Sequence, residues 1–197
     1  MAYLSSKNVA YIFWHTSAHA KETVHVDSPN TFNAIDTTYA AVDRWHKENG
    51  WKGFGYHGLI RMDGSYQQGR KLNETGAQVY GLNSKSWGLC FSGHGDYQNF
   101  TLAQYVTGIQ KTREMQRMVV NDCGAVPRLL GHGPGVRTLY KEGVLTRRFW
   151  TSKSCPGNLV KMDIVRQVMD ELPNLHIELS KDEVTKAAQK ILLMSLA

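Results

Sequence analysis

Two imidazoles and a thiol stand far apart in the chain, each in a setting that could present it to a metal. His15 ends the run Asn8-Val-Ala-Tyr-Ile-Phe-Trp14, His132 follows Leu130-Gly131, and Cys155 sits inside Lys153-Ser-Cys-Pro-Gly157. Catalytic zinc typically takes three protein ligands from His, Cys or carboxylate and keeps a fourth position open for water. If the three converge, the chain is a hydrolase. Taken alone, a histidine ending an apolar strand is more often structural than a ligand, so the reading depends on the fold. The other thiols, Cys90 in an apolar run and Cys123 at a helix end, read as core residues.

The elements that must position these groups follow from periodicity. Asn8 to Trp14 is short, apolar and rich in β-branched and aromatic residues, a buried strand that ends at His15. The polar stretch after it reads as loop. Asp36 is placed to cap a helix carrying Tyr39, Val42 and Trp45, which Gly50 stops. Two strand-like runs flank Met62-Asp63-Gly64, a hairpin signal, and Trp87 to Ser92 reads as another buried strand. Thr101 and Gln104 form a capping box for a helix reaching about Asp122. Arg128 to Leu130 is a short strand, and Gly131 to Ser154, lacking periodicity, reads as a long loop. Pro156-Gly157-Asn158 opens a helix that Pro173 closes, and Ser180 with Glu183 caps a last amphipathic helix to Leu196. These elements predict an α/β three-layer domain, a central mixed sheet flanked by helices, plus a C-terminal helix.

Composition bounds what can be built. A chain of 197 residues with 42% hydrophobic and 20% charged residues can bury a core as one domain and is not disordered. Its net charge of +6 favours an anionic partner, but no Lys/Arg run resembles a nucleic-acid arm. No stretch is apolar for long enough to span a membrane. Met1 to Asn8 lacks a secretion signal, so a cytoplasmic protein is expected, and three sparse cysteines exclude a disulfide framework.

Seven motifs in order, from His15 to about Asp170, now acquire meaning together. They include Asp43-Arg-Trp-His-Lys-Glu-Asn-Gly-Trp51, Gly55-Tyr-His57, Asp63-Gly64, Ser86-Trp-Gly-Leu-Cys-Phe-Ser-Gly93, Asn99-Phe-Thr101, Gly131-His132 and Cys155-Pro156. In this the chain resembles zinc-dependent N-acetylmuramoyl-L-alanine amidases of the phage lysozyme or endolysin type, which share a fold with peptidoglycan-recognition proteins. The resemblance implies Zn²⁺ held by His15, His132 and Cys155, a catalytic Tyr56 and an auxiliary Lys153. It also implies cleavage of the amide between N-acetylmuramic acid and L-alanine by zinc-activated water, on the cell wall once the membrane is permeabilised. Alternatives are a binding module that recognises peptidoglycan without cutting it, or an amidase that also binds and inhibits a phage RNA polymerase. A monomer is expected, with residues 1–175 as amidase domain and 176–197 as helical extension.

The chain also departs from the pattern. The interval between His132 and Cys155 is longer than in compact relatives, Gly133-Pro134 follows His132 where relatives often carry an acidic residue, and Gln78 stands where relatives often have histidine. The long interval holds Arg137, Lys141, Arg147 and Arg148 with Tyr140, Phe149 and Trp150, a mixture suited to gripping an anionic glycan-peptide. His57, following Tyr56, reads as a core or supporting residue, and His19, His25, His94 and His176 read as surface, His94 at the border of the cleft.

Overall fold

The computed structural model describes residues 4–25 and 28–196, with only the backbone for 22–25 and 28–32. Met1 to Tyr3, part of the stretch read for a secretion signal, and the side chain of His25 lie outside it. A five-stranded mixed sheet runs in the order β5-β4-β6-β1-β7. Its strands are β1 (Tyr11–Thr16), β4 (Gly58–Ile60), β5 (Tyr66–Gln68), β6 (Ser86–Phe91) and β7 (Arg128–Gly131). The hairpin β4–β5 is antiparallel, while β4, β6, β1 and β7 run parallel to their neighbours. Parallel strands need both faces covered, and every residue of β1 and β6 is buried.

Alternation along β1 sends its side chains to two different layers. Ile12 and Trp14 enter the larger core, built with α2 (Leu102–Cys123), α4 (Met162–Asp170) and α5 (Lys181–Leu196). Tyr11 and Phe13 enter the opposite core with Val136 and Leu139 of α3 (His132–Lys141). A third cluster joins Val42 of α1 (Tyr39–Glu48) to Phe54, Leu59 and Cys90 on that same side. His15 continues the Tyr11-Phe13 parity, so it faces the α1/α3 layer at the C-terminal end of β1. The three-layer α/β architecture with a C-terminal helix therefore stands as expected.

Several local expectations are corrected. The polar stretch after β1 is not loop, because β2 (Ala20–His25) pairs antiparallel with β3 (Ser28–Ala34) as a separate two-stranded ribbon. It contributes no strand to the main sheet, and so shows no apolar alternation. Asp36 does not cap α1; the Thr38 side chain accepts from Ala41 N–H instead. Asp36 receives the fork of Arg61, at 2.9 and 2.6 Å, and the amide of Met62, which fastens the β4–β5 hairpin. Cys123 is exposed rather than core.

The largest correction lies between Gly131 and Ser154, where a ten-residue helix, α3, replaces the expected loop. Two glycines and a proline in its first turn hide it. Pro134 costs little there, since first-turn N–H groups have no helical partner. Conversely, α4 begins at Met162 and not at Pro156. The segment before it is fastened across the chain instead, with Asn158 N–H donating to Asp96 Oδ1 at 2.7 Å and Leu159 N–H to the Gly95 carbonyl at 2.9 Å.

The capping boxes at Thr101/Gln104 and Ser180/Glu183 form as expected. Helix α5 buries Val184, Ala187, Ala188 and Ile191 in the larger core. Buried Arg113 donates to the carbonyls of Pro173, Asn174 and Ile177, tying the lead-in of α5 to α2. Among the described residues no helix is long and apolar enough to cross a membrane. Because Ile191 is fully buried in the shared core, Ile191→Ala is expected to lower stability by about 2–5 kcal/mol. Denaturant unfolding should remain one transition; a separate early transition for α5 would show that the helix is an independent appendage.

Candidate metal centre and cleft

Pairing of β1 between β6 and β7 brings the first two groups together. Trp14 lies opposite Gly131 in the parallel register, so the next residues, His15 and His132, emerge side by side at the C-terminal ends of their strands. Crevices at that end of an open α/β sheet are the usual place for a ligand. The imidazole centroids are 4.7 Å apart.

The thiol is delivered by α3, which works as a ruler across the long interval. Its first turn abuts the returning chain: Gly133 N–H donates to the Cys155 carbonyl at 2.6 Å. A side chain at Gly133 would collide with the Lys153 carbonyl, so only glycine permits this approach. One turn on, Arg137 donates to the Lys153 carbonyl at 2.8 Å. From the other side, Asp96 accepts from Ser154 Oγ at 2.6 Å as well as from Asn158 N–H. Cys155 Sγ thereby comes to rest 3.8 Å from His15 Nδ1 and accepts from Thr16 N–H at 3.4 Å.

One donor atom from each of His15, His132 and Cys155 lies within 4.8 Å of the others. Nitrogen and sulfur donors in that number match a catalytic zinc site, with one position left over. The orientation of His15 fits as well. Its Nε2 meets Gln78 Oε1 at 2.6 Å, Gln78 Nε2 donates to Ser86 Oγ at 2.7 Å, and Ser86 Oγ donates to the Leu82 carbonyl at 2.8 Å. Because the last acceptor is a carbonyl, the direction of every link is fixed. Gln78 must accept from His15 Nε2–H, which leaves the Nδ1 lone pair facing Cys155 and His132. Gln78, flagged in the sequence only as an unusual residue, thus touches the first histidine directly. No spacing rule would have found that contact, nor the anchoring by Asp96.

Electrostatics keeps the donors in the right forms. Burial, followed by the influence of the other histidine, holds His15 well below its ordinary pKa. His132 is pushed down to about 4 by burial and by the Lys153 ammonium. Both imidazoles are neutral at pH 7. Burial pushes the Cys155 thiol up to about 12, which the Thr16 amide and Lys153 only partly oppose. A metal must therefore displace its proton.

Tyr56 lies beside His15, ring centroids 4.9 Å apart, and among the described residues nothing hydrogen-bonds its hydroxyl. Burial raises the phenol well above its usual range, so it stays protonated. Lys153 is exposed on the same cleft and has no acidic partner among the described residues. Four of the five residues singled out from the sequence, Tyr56, His132, Lys153 and Cys155, thus line one cleft of about 720 Å³, and His15 is buried directly behind it, within reach of His132 and Cys155. His57 is buried away from it, accepting from Gly88 N–H and bonded to the Glu74 carbonyl. His94 does border the cleft.

The group expected to grip a glycan-peptide divides. Arg137 is occupied by backbone carbonyls, Tyr140 packs against the core, and Lys141 lies at the far end of α3. Arg148, Phe149 and Trp150 do line the cleft, together with Trp51 and Tyr80.

A family model described as N-acetylmuramoyl-L-alanine amidase matches residues 5–158, a span that contains His15, Tyr56, His132, Lys153 and Cys155. The endolysin of Klebsiella phage KP32 is 36% identical over 94 residues, 45% of this chain and 62% of that protein, so the match spans less than two thirds of the relative. Among solved structures, the N-acetylmuramoyl-L-alanine amidase LysC from Clostridium intestinale URNW is similar with a TM-score of 0.58 at 23% identity, over 85% of this chain and 89% of that one. Drosophila peptidoglycan recognition protein SD follows with a TM-score of 0.54 at 16% identity, over 88% and 86% of the two chains. At those identities the two structures speak for the fold.

Zinc titrated into the metal-free protein tests the geometry of the centre. With His132 neutral above about 4 and Cys155 protonated below about 12, binding at pH 7 is expected to release about one proton, and affinity to rise about tenfold per pH unit. Calorimetry in buffers of different ionisation enthalpy measures the proton. Gln78→Leu, which frees the imidazole to turn, is expected to weaken binding about 10- to 100-fold; unchanged affinity would remove Gln78 from the centre's support.

Proposed function

From the premise that this chain belongs to the N-acetylmuramoyl-L-alanine amidase family, we propose that it hydrolyses the amide joining N-acetylmuramic acid to L-alanine in peptidoglycan, as a phage endolysin does. The observation that carries the reading is the convergence of His15, His132 and Cys155 at a cleft that His132 and Cys155 line together with Tyr56 and Lys153. Those three residues would hold Zn²⁺. When bound there, zinc supplies a Lewis acid and lowers the pKa of the water it holds toward neutrality.

The chain's own residues do the rest. Gln78 keeps His15 turned with Nδ1 inward, and the clamp of Asp96, Gly133 and Arg137 holds the Cys155 turn in place. Attack on an amide carbonyl gathers negative charge on its oxygen, and a preplaced cation or hydrogen-bond donor stabilises that charge. Lys153 provides the cation. Its ammonium rides on a segment whose backbone is fastened to α3, and among the described residues no carboxylate pairs with it. Tyr56 provides a neutral donor. With its acidity suppressed by burial, the phenol is suited to donating a hydrogen bond to the oxyanion or leaving nitrogen while keeping its proton.

A recognition module would need the cleft but not the donor set, so the complete set favours hydrolysis. Like the phage relative, the protein would meet its polymer at the cell wall. Purified peptidoglycan incubated with the zinc-loaded protein is expected to release peptide-free muramoyl chains, with activity lost on chelation and in Cys155→Ser. Tyr56→Phe is expected to lower kcat by about a hundredfold to a thousandfold. Full activity after chelation, or in Cys155→Ser, would contradict the assignment.

A further inference from the structure

Because no described residue hydrogen-bonds the Tyr56 hydroxyl, the place of its ring is set by packing and by the backbone that carries it. Three rings surround it: His15 with centroids 4.9 Å apart, His46 at 5.4 Å and Phe54 edge-on at 5.6 Å. His15 faces the other two metal donors, and Phe54 belongs to the apolar cluster under α1. His46 belongs to neither group, yet it is buried in the last turn of α1. Burying an imidazole is costly unless its nitrogens find partners.

The partner is the backbone just before Tyr56. Nδ1 of His46 accepts from Gly55 N–H at 2.9 Å, in a buried bond. An amide can only donate, so Nδ1 carries the lone pair, and in the neutral ring the proton sits on Nε2. One turn earlier, Asp43 Oδ1 accepts from Phe54 N–H at 2.8 Å. Two side chains of α1, three residues apart and so on one face, thus take two successive amides of the segment that leads into Tyr56. Trp51 N–H donates to the His46 carbonyl at 2.9 Å, and the Trp51 and His46 rings meet at 4.6 Å.

The restraint continues past Gly55. Its carbonyl accepts from Ala77 N–H at 2.8 Å, and a Cβ at Gly55 would lie 2.5 Å from the Ala77 carbonyl oxygen. Ala77 precedes Gln78, which turns His15. The Tyr56 carbonyl in turn accepts from Arg70 N–H at 2.9 Å. Without an acceptor at position 46 the Gly55 amide is left buried and unpaired, a cost the segment relieves only by moving. Tyr56 moves with it.

We propose that His46 is a positioning residue for the reaction, holding the Tyr56 phenol in place by accepting the Gly55 amide and packing beside the ring, with no part in binding the metal. This rests on the amidase reading, in which Tyr56 donates to the reacting group.

A double-mutant cycle on a soluble muramoyl-peptide, with the zinc-loaded full chain, tests it. His46→Leu, which keeps bulk but removes the acceptor, is expected to lower kcat about 10- to 100-fold with KM and zinc affinity unchanged. His46→Asn, whose amide oxygen replaces Nδ1, is expected to recover part of the loss. In the Tyr56→Phe background His46→Leu is expected to cost little more, since coupled residues do not add. Ile191→Ala, in the other core, controls for lost stability and is expected to keep kcat. The Tyr56 ring is followed directly by NMR of ring-labelled tyrosine, its signal identified by its absence in Tyr56→Phe; it is expected to shift in His46→Leu and to return toward wild type in His46→Asn. Additive losses, an equal loss in Ile191→Ala, or an unmoved Tyr56 signal would overturn the role. If the wild type cleaves nothing, the amidase reading falls, and the ring signal alone decides whether His46 places Tyr56.

Discussion

Parallel pairing of β1 with β7 is the constraint on which the centre depends. It sets Trp14 opposite Gly131, so the residues that follow are delivered to the same level at the C-terminal end of the sheet. Neither histidine has to search for the other. The pairing in turn needs covered faces, and β1 meets that need by sending Ile12 and Trp14 into one core and Tyr11 and Phe13 into another. His15 inherits its direction from this alternation. A shift of register by one residue would turn it to the opposite face.

The third donor is governed by a different device. Cys155 lies in a turn, and a turn at the end of a long connection would place a thiol poorly. Helix α3 removes the slack, because its first residue is His132 and its first two turns grip the chain on either side of Lys153. The same short helix therefore fixes the distance between second and third donors. The buried chain Gln78–Ser86–Leu82 does for rotation of His15 what α3 does for translation of Cys155. Burial then keeps both imidazoles neutral, at the expense of leaving the thiol protonated until a metal arrives.

Much of this was legible in the sequence because its signals are local. The apolar run before His15, the Asp63-Gly64 hairpin and the two capping boxes each specify their element within a few residues. The five candidate residues came from the resemblance, and the fold brings His15, His132 and Cys155 together beside a cleft lined by Tyr56 and Lys153. Helix α3 was not legible, since Gly133, Pro134 and Gly135 carry poor helix propensity and the helix is made by packing Val136 and Leu139 against β1 and β7. The β2–β3 ribbon escaped notice for the opposite reason: it lies outside the main sheet and needs no apolar alternation. Asp36 has the residue type of a helix cap, but the Arg61 fork offers it a stronger partner. Roles that depend on contacts between distant residues, those of Gln78 and Asp96, could be seen only after folding.

His15, His132 and Cys155 are proposed to bind one zinc ion together. X-ray absorption of the zinc-loaded protein at the metal edge tests it most directly. Two nitrogen donors at about 2.0–2.1 Å and a single sulfur at about 2.3 Å are expected, with the sulfur shell absent in Cys155→Ser. A wild-type spectrum containing only nitrogen and oxygen donors would contradict it.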